Sequence, residues 1–174
     1  MPPKALKRKL RLPVPDHMCR DIYALPPAFF TGRGIRFLLL DVDNTLAPYG
    51  DESAPPRLVA WVEALKAAGL SLFILSNNRG NRPAIFAEKL GIPFVGRAKK
   101  PATSVLTSVL AARGFSPAET ALVGDQIYTD VLCARCAGIL AVLVRPISLK
   151  NPLLALRYGS EAPFRGIFLW RHGL

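Results

Sequence analysis

Residues 35–46 read Ile-Arg-Phe-Leu-Leu-Leu-Asp-Val-Asp-Asn-Thr-Leu, in which a mainly apolar run over residues 35–40 is followed by two aspartates. An apolar run of this length is typical of a strand that is buried on both faces, as in a parallel sheet covered by helices. A carboxylate at the end of such a strand is costly to bury unless a cation compensates it. Asp41 and Asp43 are therefore candidate functional residues.

The same pattern recurs along the chain, with further strands predicted at 70–75, 92–95, 120–123 and 139–144 and helices at 56–68, 82–90, 102–112 and 129–137. This alternation predicts an α/β fold, with one Rossmann-like domain, a five-stranded parallel sheet and helices on both faces. We expect the domain to span residues 35–145. A basic, proline-rich lead-in over residues 1–34 precedes it. A basic C-terminal extension over residues 146–174 is expected to pack on or beside the core.

The composition of the 174-residue chain excludes several classes of protein. An apolar fraction of 51% is too high for a disordered chain, and the longest apolar runs are far shorter than the roughly 20 residues needed to cross a bilayer. Three cysteines are too few for a disulfide framework and indicate a reducing compartment.

The net charge of +11 is concentrated at the two ends of the chain. Residues 1–36 contain eight Lys and Arg against two Asp and Glu, and residues 145–174 contain five against one. Basic ends attract anionic partners such as lipid headgroups, nucleic acids or phosphorylated substrates.

Polar residues follow four of the predicted strands, namely Asp41 and Asp43, then Ser76 and Asn77, then Lys100, then Asp125 and Asp130. The carboxyl ends of parallel strands meet at one edge of the sheet, where open α/β folds place their reactive groups. Converging carboxylates repel one another unless a metal neutralises them, and donors that are all oxygen favour Mg²⁺. A lysine and a serine beside them suit the oxygens of a phosphoryl group. The set therefore indicates phosphoryl transfer through an aspartyl-phosphate.

The four motifs resemble those of the haloacid-dehalogenase-like (HAD) phosphohydrolase superfamily, in the same order and on the expected strands. The resemblance covers about residues 35–145. Among members without a cap domain, the chain most resembles the YqeG family of IIIA-type phosphatases, which is related to the mitochondrial phosphatidylglycerophosphate phosphatases. The resemblance implies a Mg²⁺-dependent phosphomonoester hydrolase.

The resemblance also implies a role for each motif residue. Asp41 would be the nucleophile, and Asp43 would protonate the leaving alcohol and then activate water. Lys100 would pair with Asp41 and with the phosphate. The phosphoryl oxygens would be bound by Ser76, Asn77 and Lys100, and the metal by Asp41, Asp43 (through its backbone carbonyl), Asp125 and Asp130.

The spacing of the motifs bears on the size of the substrate. About thirty residues separate Asp41 from Ser76 and about twenty-four separate Ser76 from Lys100, and neither interval has room for a cap domain. We therefore expect an open site, covered at most by the loop 45–55, that accepts a phosphate presented by something large. The resemblance implies phosphatidylglycerophosphate. The basic ends favour peripheral contact with an anionic membrane, at its inner, cytoplasmic face.

Two other functions stay open. One is hydrolysis of a soluble sugar or nucleotide phosphate. The other is a binding module that retains a HAD core while its basic ends engage RNA or a GTPase partner. The complete set of Asp41, Asp43, Lys100 and Asp125 favours catalysis, because a scaffold has no need of it.

Two smaller features have structural alternatives. Asp130 is also placed to favour the start of a helix through its charge. Cys133 and Cys136 form a Cys-x-x-Cys pattern, but on a predicted helix with no second pair and no nearby histidine. We therefore assign these cysteines no zinc or redox role.

Overall fold

The computed structural model describes residues 12–173, in which six strands form one sheet. The strands are β1 (His17–Cys19), β2 (Phe37–Leu40), β3 (Ser71–Leu75), β4 (Phe94–Val95), β5 (Thr120–Gly124) and β6 (Leu140–Val144). All pairings are parallel, and the strand order is β1-β6-β5-β2-β3-β4. The predicted α/β class and parallel sheet are confirmed, with six strands in place of the predicted five.

Seven α-helices accompany these strands within residues 12–173: α1 (Pro27–Thr31), α2 (Pro56–Ala67), α3 (Arg82–Leu90), α4 (Ser104–Arg113), α5 (Leu132–Ala137), α6 (Pro152–Ser160) and α7 (Ala162–His172). Proline and glycine residues mark several of the helix ends. Helices α2 and α3 have proline in the first turn, where its missing N–H is not needed. Helices α3 and α4 end where Gly91 and Gly114 adopt the left-handed conformation.

The helices cover both faces of the sheet, and the central strand β2 shows how the two layers form. All four of its residues are buried. Leu38 and Leu40 pack on the face covered by α1, α2 and α3. Phe37 and Leu39 pack on the opposite face, against α4 and α5. Successive side chains of a strand point to opposite faces, so a continuous apolar run serves two cores.

The sixth strand comes from the predicted lead-in. In β1, His17 lies beside Val142 of β6, and the Asp16 carboxylate accepts a hydrogen bond of 2.9 Å from the backbone N–H of Ala141. Leu25 and Phe30 are fully buried in the same core as β2. A three-residue strand has too little periodicity to be recognised in the sequence. The basic cluster within residues 1–11 lies outside the described residues.

The C-terminal helices pack against the domain through a few buried side chains. Glu161, between α6 and α7, is 1% exposed, and its Oε1 accepts hydrogen bonds from the backbone N–H groups of Ile127 (2.9 Å) and Tyr128 (3.2 Å). Phe168 of α7 is also buried. No helix among residues 12–173 combines the length and the hydropathy that crossing a membrane requires.

Burial of the segment before β2 yields a stability prediction. Replacing Phe30 by Ala removes a fully buried ring, so we expect the free energy of unfolding to fall by about 3–5 kcal/mol in urea titrations. The control is Leu12→Ala, at a residue that is 48% exposed, for which we expect a change within about 0.5 kcal/mol. Equal, small losses in both variants would contradict this packing.

Candidate active site

The polar residues predicted to act together meet at the carboxyl edge of the sheet, after β2, β3 and β5 and in the loop after β4. They line a cleft of about 460 Å³. Of the predicted residues, the cleft is lined by Asp41, Asp43, Ser76, Asn77, Lys100 and Asp130. The seventh, Asp125, is buried and lines a smaller cavity that shares Gln126 and Arg157 with the cleft.

Three carboxylates form the centre of the site. One oxygen each of Asp41, Asp125 and Asp130 lies within 4.8 Å of the others, and all three residues are buried. Gly124, the last residue of β5, makes room for this approach. A Cβ at that position would overlap the carboxylate of Asp130. The small residue at the strand end therefore lets the acidic side chain fold back over the backbone.

Asp130 is positioned by an unusual backbone segment. Residues Ile127–Val131 form a π-helical turn that is separated from the end of β5 by two residues, a geometry that is often found at functional sites. The Oδ2 atom of Asp130 accepts a hydrogen bond of 3.2 Å from the backbone N–H of Gln126. Glu161 satisfies the next two N–H groups of the same turn. The carboxylate is therefore held toward Asp41 and Asp125.

Lys100 is the cation within this acidic group. Its Nζ lies 2.7 Å from Asp41 Oδ1 and 2.6 Å from Asp130 Oδ1, and its side chain is 1% exposed. Burial by itself would lower the pKa of Lys100, but the charges of Asp130 and Asp41 outweigh it and raise the pKa. Asn77 fixes the lysine backbone, because its side-chain amide donates to the carbonyl of Lys100 (2.9 Å) and accepts from its N–H (2.7 Å).

One lysine does not balance three buried carboxylates. Burial raises the pKa of Asp41 to about 7; the pair with Lys100 opposes this shift, and the charge of Asp130 adds to it. Burial and the charges of Asp130 and Asp41 also raise the pKa of Asp125 well above its usual range. A dense group of oxygen donors with excess negative charge suits a hard divalent cation such as Mg²⁺. The residues present therefore fit such an ion.

The side chain of Asp43 is engaged elsewhere. Its Oδ1 lies 2.6 Å from Arg82 Nε, and its Oδ2 accepts a hydrogen bond of 2.9 Å from the Asn78 side chain. It therefore stands apart from the Asp41, Asp125 and Asp130 group. A metal contact through the backbone carbonyl of Asp43 stays a prediction.

Arg82 is a site residue that the sequence analysis missed. Its guanidinium is buried, and besides holding Asp43 it donates to the backbone carbonyls of Pro48 and Asp51. The Arg82 side chain thus connects the loop 45–55 to Asp43 of the first motif. The sequence signal is weak, since an arginine in the first turn of α3 is usually exposed to solvent.

Other residues around the cleft were also not predicted. Tyr49, from the loop 45–55, lines it, and burial together with the nearby carboxylates raises the pKa of Tyr49 to about 12. Arg157 of α6 also lines it and donates to the Gln126 side chain. Within residues 12–173 the cleft is bordered by this loop and by α6, and no inserted domain covers it.

Comparison with known proteins agrees with this geometry. The family model described as mitochondrial PGP phosphatase matches residues 4–148. The probable phosphatase YqeG of Bacillus subtilis is 33% identical over 135 residues, 78% of each chain. The mitochondrial phosphatidylglycerophosphatase GEP4 of Saccharomyces cerevisiae is 31% identical over 125 residues, 64% of this chain and 67% of that protein.

Among solved structures, the fold resembles that of 3-deoxy-D-manno-octulosonate 8-phosphate phosphatase from Moraxella catarrhalis, whose structure contains magnesium, phosphate and KDO. The TM-score is 0.53 at 17% identity, covering 78% of this chain and 92% of the other. This likeness concerns the fold alone. The family match covers most of the chain and includes the four motifs at the sheet edge. The chain therefore belongs to the mitochondrial PGP phosphatase family, within the HAD-like hydrolases, and is a phosphoric monoester hydrolase.

Proposed function

We propose that this phosphatase hydrolyses the terminal phosphomonoester of phosphatidylglycerophosphate at the surface of an anionic membrane, with Mg²⁺ and through an aspartyl-phosphate on Asp41. The observation that carries the chemistry is the buried pair between Asp41 and Lys100 beside Asp125 and Asp130. A carboxylate that is buried, paired with a cation and exposed on one side to a cleft is suited to nucleophilic attack.

In the first half of the reaction, an Asp41 oxygen forms a bond to phosphorus while the bond from phosphorus to the ester oxygen breaks. Asp43, two residues further along, gives its proton to the departing alcohol. Lys100 lies 2.7 Å from Asp41 and offsets negative charge on the nucleophile and the phosphoryl group. Ser76 and Asn77 line the cleft where the phosphoryl oxygens would lie.

In the second half, water attacks the phosphorus of the aspartyl-phosphate and Asp43 accepts its proton. The bond from phosphorus to Asp41 breaks, which releases inorganic phosphate and restores the carboxylate. When bound, Mg²⁺ held by Asp41, Asp125 and Asp130 supplies positive charge that favours attack on the anionic phosphate. Arg82 and Asn78 hold the Asp43 carboxylate in place through their contacts with its two oxygens.

The open cleft and the relatives support the lipid as substrate. The S. cerevisiae relative is named a phosphatidylglycerophosphatase, and its match extends over 64% of this chain. A cleft bordered by one loop and one helix gives access to a phosphate that projects from a surface, whereas an enclosed site would exclude it.

Exposed apolar side chains beside the cleft support contact with a membrane. Leu153 and Leu156 of α6 are 75% and 72% exposed and lie one helical turn apart, and Leu153 lies one turn before Arg157, which lines the cleft. Trp170 of α7 is 81% exposed. Leucine and tryptophan side chains beside basic residues are typical of segments that bind at a bilayer interface.

Loss of the nucleophile should abolish phosphate release. We expect Asp41→Asn to lower kcat by at least about 10³-fold with para-nitrophenyl phosphate and Mg²⁺, because no other group can form the ester. The control is Asp21→Asn, at a helix cap that Asn preserves, and it should retain activity. Activity that survives in Asp41→Asn would refute a reaction through this residue.

The choice of substrate can be measured directly. With phosphatidylglycerophosphate in vesicles, we expect kcat/KM at least about tenfold above that for soluble sugar and nucleotide phosphates, because contacts away from the reacting group contribute binding energy. Rates of phosphate release at equal monoester concentration give the comparison. Comparable turnover of soluble esters with none on vesicles would reject the lipid substrate.

Membrane contact should be visible in tryptophan fluorescence. The chain has two tryptophans, of which Trp61 is 8% and Trp170 is 81% exposed. We expect vesicles containing anionic lipid to shift the emission of Trp170 to shorter wavelength. Salt at 1 M should reverse the shift, because the Debye length falls to about 3 Å. In the control variant Trp170→Phe only the buried Trp61 emits, and we expect no shift. An unchanged wild-type spectrum, or a shift that salt does not reverse, would contradict the proposal.

A further inference from the structure

A second cleft, lined by cationic side chains, adjoins the catalytic one. It is lined by Asn77, Arg79, Arg97, Lys99 and Lys100. Three of these residues, Asn77, Arg79 and Lys100, also line the catalytic cleft. The two clefts are therefore neighbours with a common wall, and a molecule bound in one can extend into the other. We call Arg79, Arg97 and Lys99 the cationic rim.

The loop that carries two of these cations has a strained backbone. Arg97 and Lys99 adopt φ angles of 53° and 57°, in the left-handed region that residues other than glycine rarely occupy. Such conformations persist where the surroundings hold them, and they cluster at functional sites. Here the backbone N–H of Arg97 donates to the backbone carbonyl of Asn78 (3.0 Å), and the backbone N–H of Ala98 donates to the backbone carbonyl of Ser76 (2.9 Å).

The conformation of this loop determines which of its cationic side chains are buried and which are exposed. Along this loop Ala98 and Lys100 are buried, whereas Arg97 and Lys99 are exposed. The backbone therefore sends Lys100 inward to the catalytic carboxylates and presents the other two cations at the mouth of the site.

The cationic rim has no acidic partner within the described part of the chain. Arg79, Arg97 and Lys99 make neither an ion pair nor a side-chain hydrogen bond with any residue from 12 to 173. Lys100, in contrast, forms ion pairs with both Asp41 and Asp130. Arginine and lysine side chains with free donors next to a phosphate site are well suited to a further phosphate-type anion.

We propose that the cationic rim binds a second phosphate-type anion of the same substrate molecule whose monoester occupies the catalytic cleft. The protein would then select substrates in which a short linker joins two phosphorus-bearing groups. This inference rests on the proposed function and deepens it, because phosphatidylglycerophosphate carries a phosphodiester and a phosphomonoester on one glycerol. The shared wall of the two clefts favours one molecule over a neighbouring lipid headgroup as the source of the second anion.

The test uses two soluble substrates, without vesicles, so that no neighbouring headgroup is present. One is glycerol 3-phosphate, with a monoester only. The other is deacylated phosphatidylglycerophosphate, in which a phosphodiester joins a second glycerol to the glycerol monoester. With the full chain and Mg²⁺, we expect kcat/KM to be at least about tenfold higher for the second substrate, mainly through a lower KM.

The variant for this test is Arg97→Asn with Lys99→Asn, because asparagine tolerates the left-handed region and keeps the loop conformation while both charges are lost. We expect its selectivity, the ratio of the two kcat/KM values, to fall about tenfold. The matched control is Arg171→Asn, which removes an exposed charge at the end of α7 and should leave the ratio unchanged. Where the double variant fails to fold, Arg79→Gln takes its place.

Each outcome bears on one of the two proposals. Wild-type rates that differ little between the substrates, or equal losses on both in the variant, would overturn the second-anion site and leave the phosphatase proposal intact. A preference that appears only in anionic vesicles would assign the rim to neighbouring headgroups and would also overturn it. Absence of turnover on every phosphate, vesicles included, would instead defeat the proposed function.

Discussion

The ammonium group of Lys100, buried between the carboxylates of Asp41 and Asp130, is the interaction on which the rest of the site depends. Charges can be removed from water at tolerable free energy only when opposite charges and hydrogen bonds compensate them. Asp41, Lys100 and Asp130 come from different loops, and Asp41 and Lys100 are 59 positions apart in the sequence. The parallel sheet satisfies this constraint because it brings the carboxyl ends of its strands to one edge.

Other buried polar side chains connect the site to the segments around it. Arg82 connects Asp43 to the loop 45–55, and Glu161 anchors the π-helical turn that carries Asp130. Asn44, in the first motif, donates to the carbonyl of Ser148 (2.8 Å) at the start of the C-terminal extension. The segments that flank the alternating core therefore contribute to the architecture of the site, because they satisfy groups that the core leaves without partners.

The site has opposite charge at its centre and at its rim. Its centre holds an excess of carboxylates and suits a divalent cation, whereas its rim presents Arg79, Arg97 and Lys99 without acidic partners in the described chain. The proposed lipid substrate would complement both, since its monoester would meet a cation at the centre and its remaining charge would meet the rim. Part of the net charge of +11 therefore lies at the mouth of the site, in addition to the basic residues at the two chain ends.

The amino-acid sequence by itself determined the strands β2 to β6, the helices between them and the acids that follow strand ends, such as Asp41 and Asp125. These features are local, because apolar runs, helical periodicity and terminal glycines are read within a few residues. Only the tertiary structure decided that β1 completes the sheet, that Arg82 holds Asp43 across 39 positions, and that Arg157 reaches the cleft. Each depends on contacts between distant segments, which leave no periodic pattern in the chain.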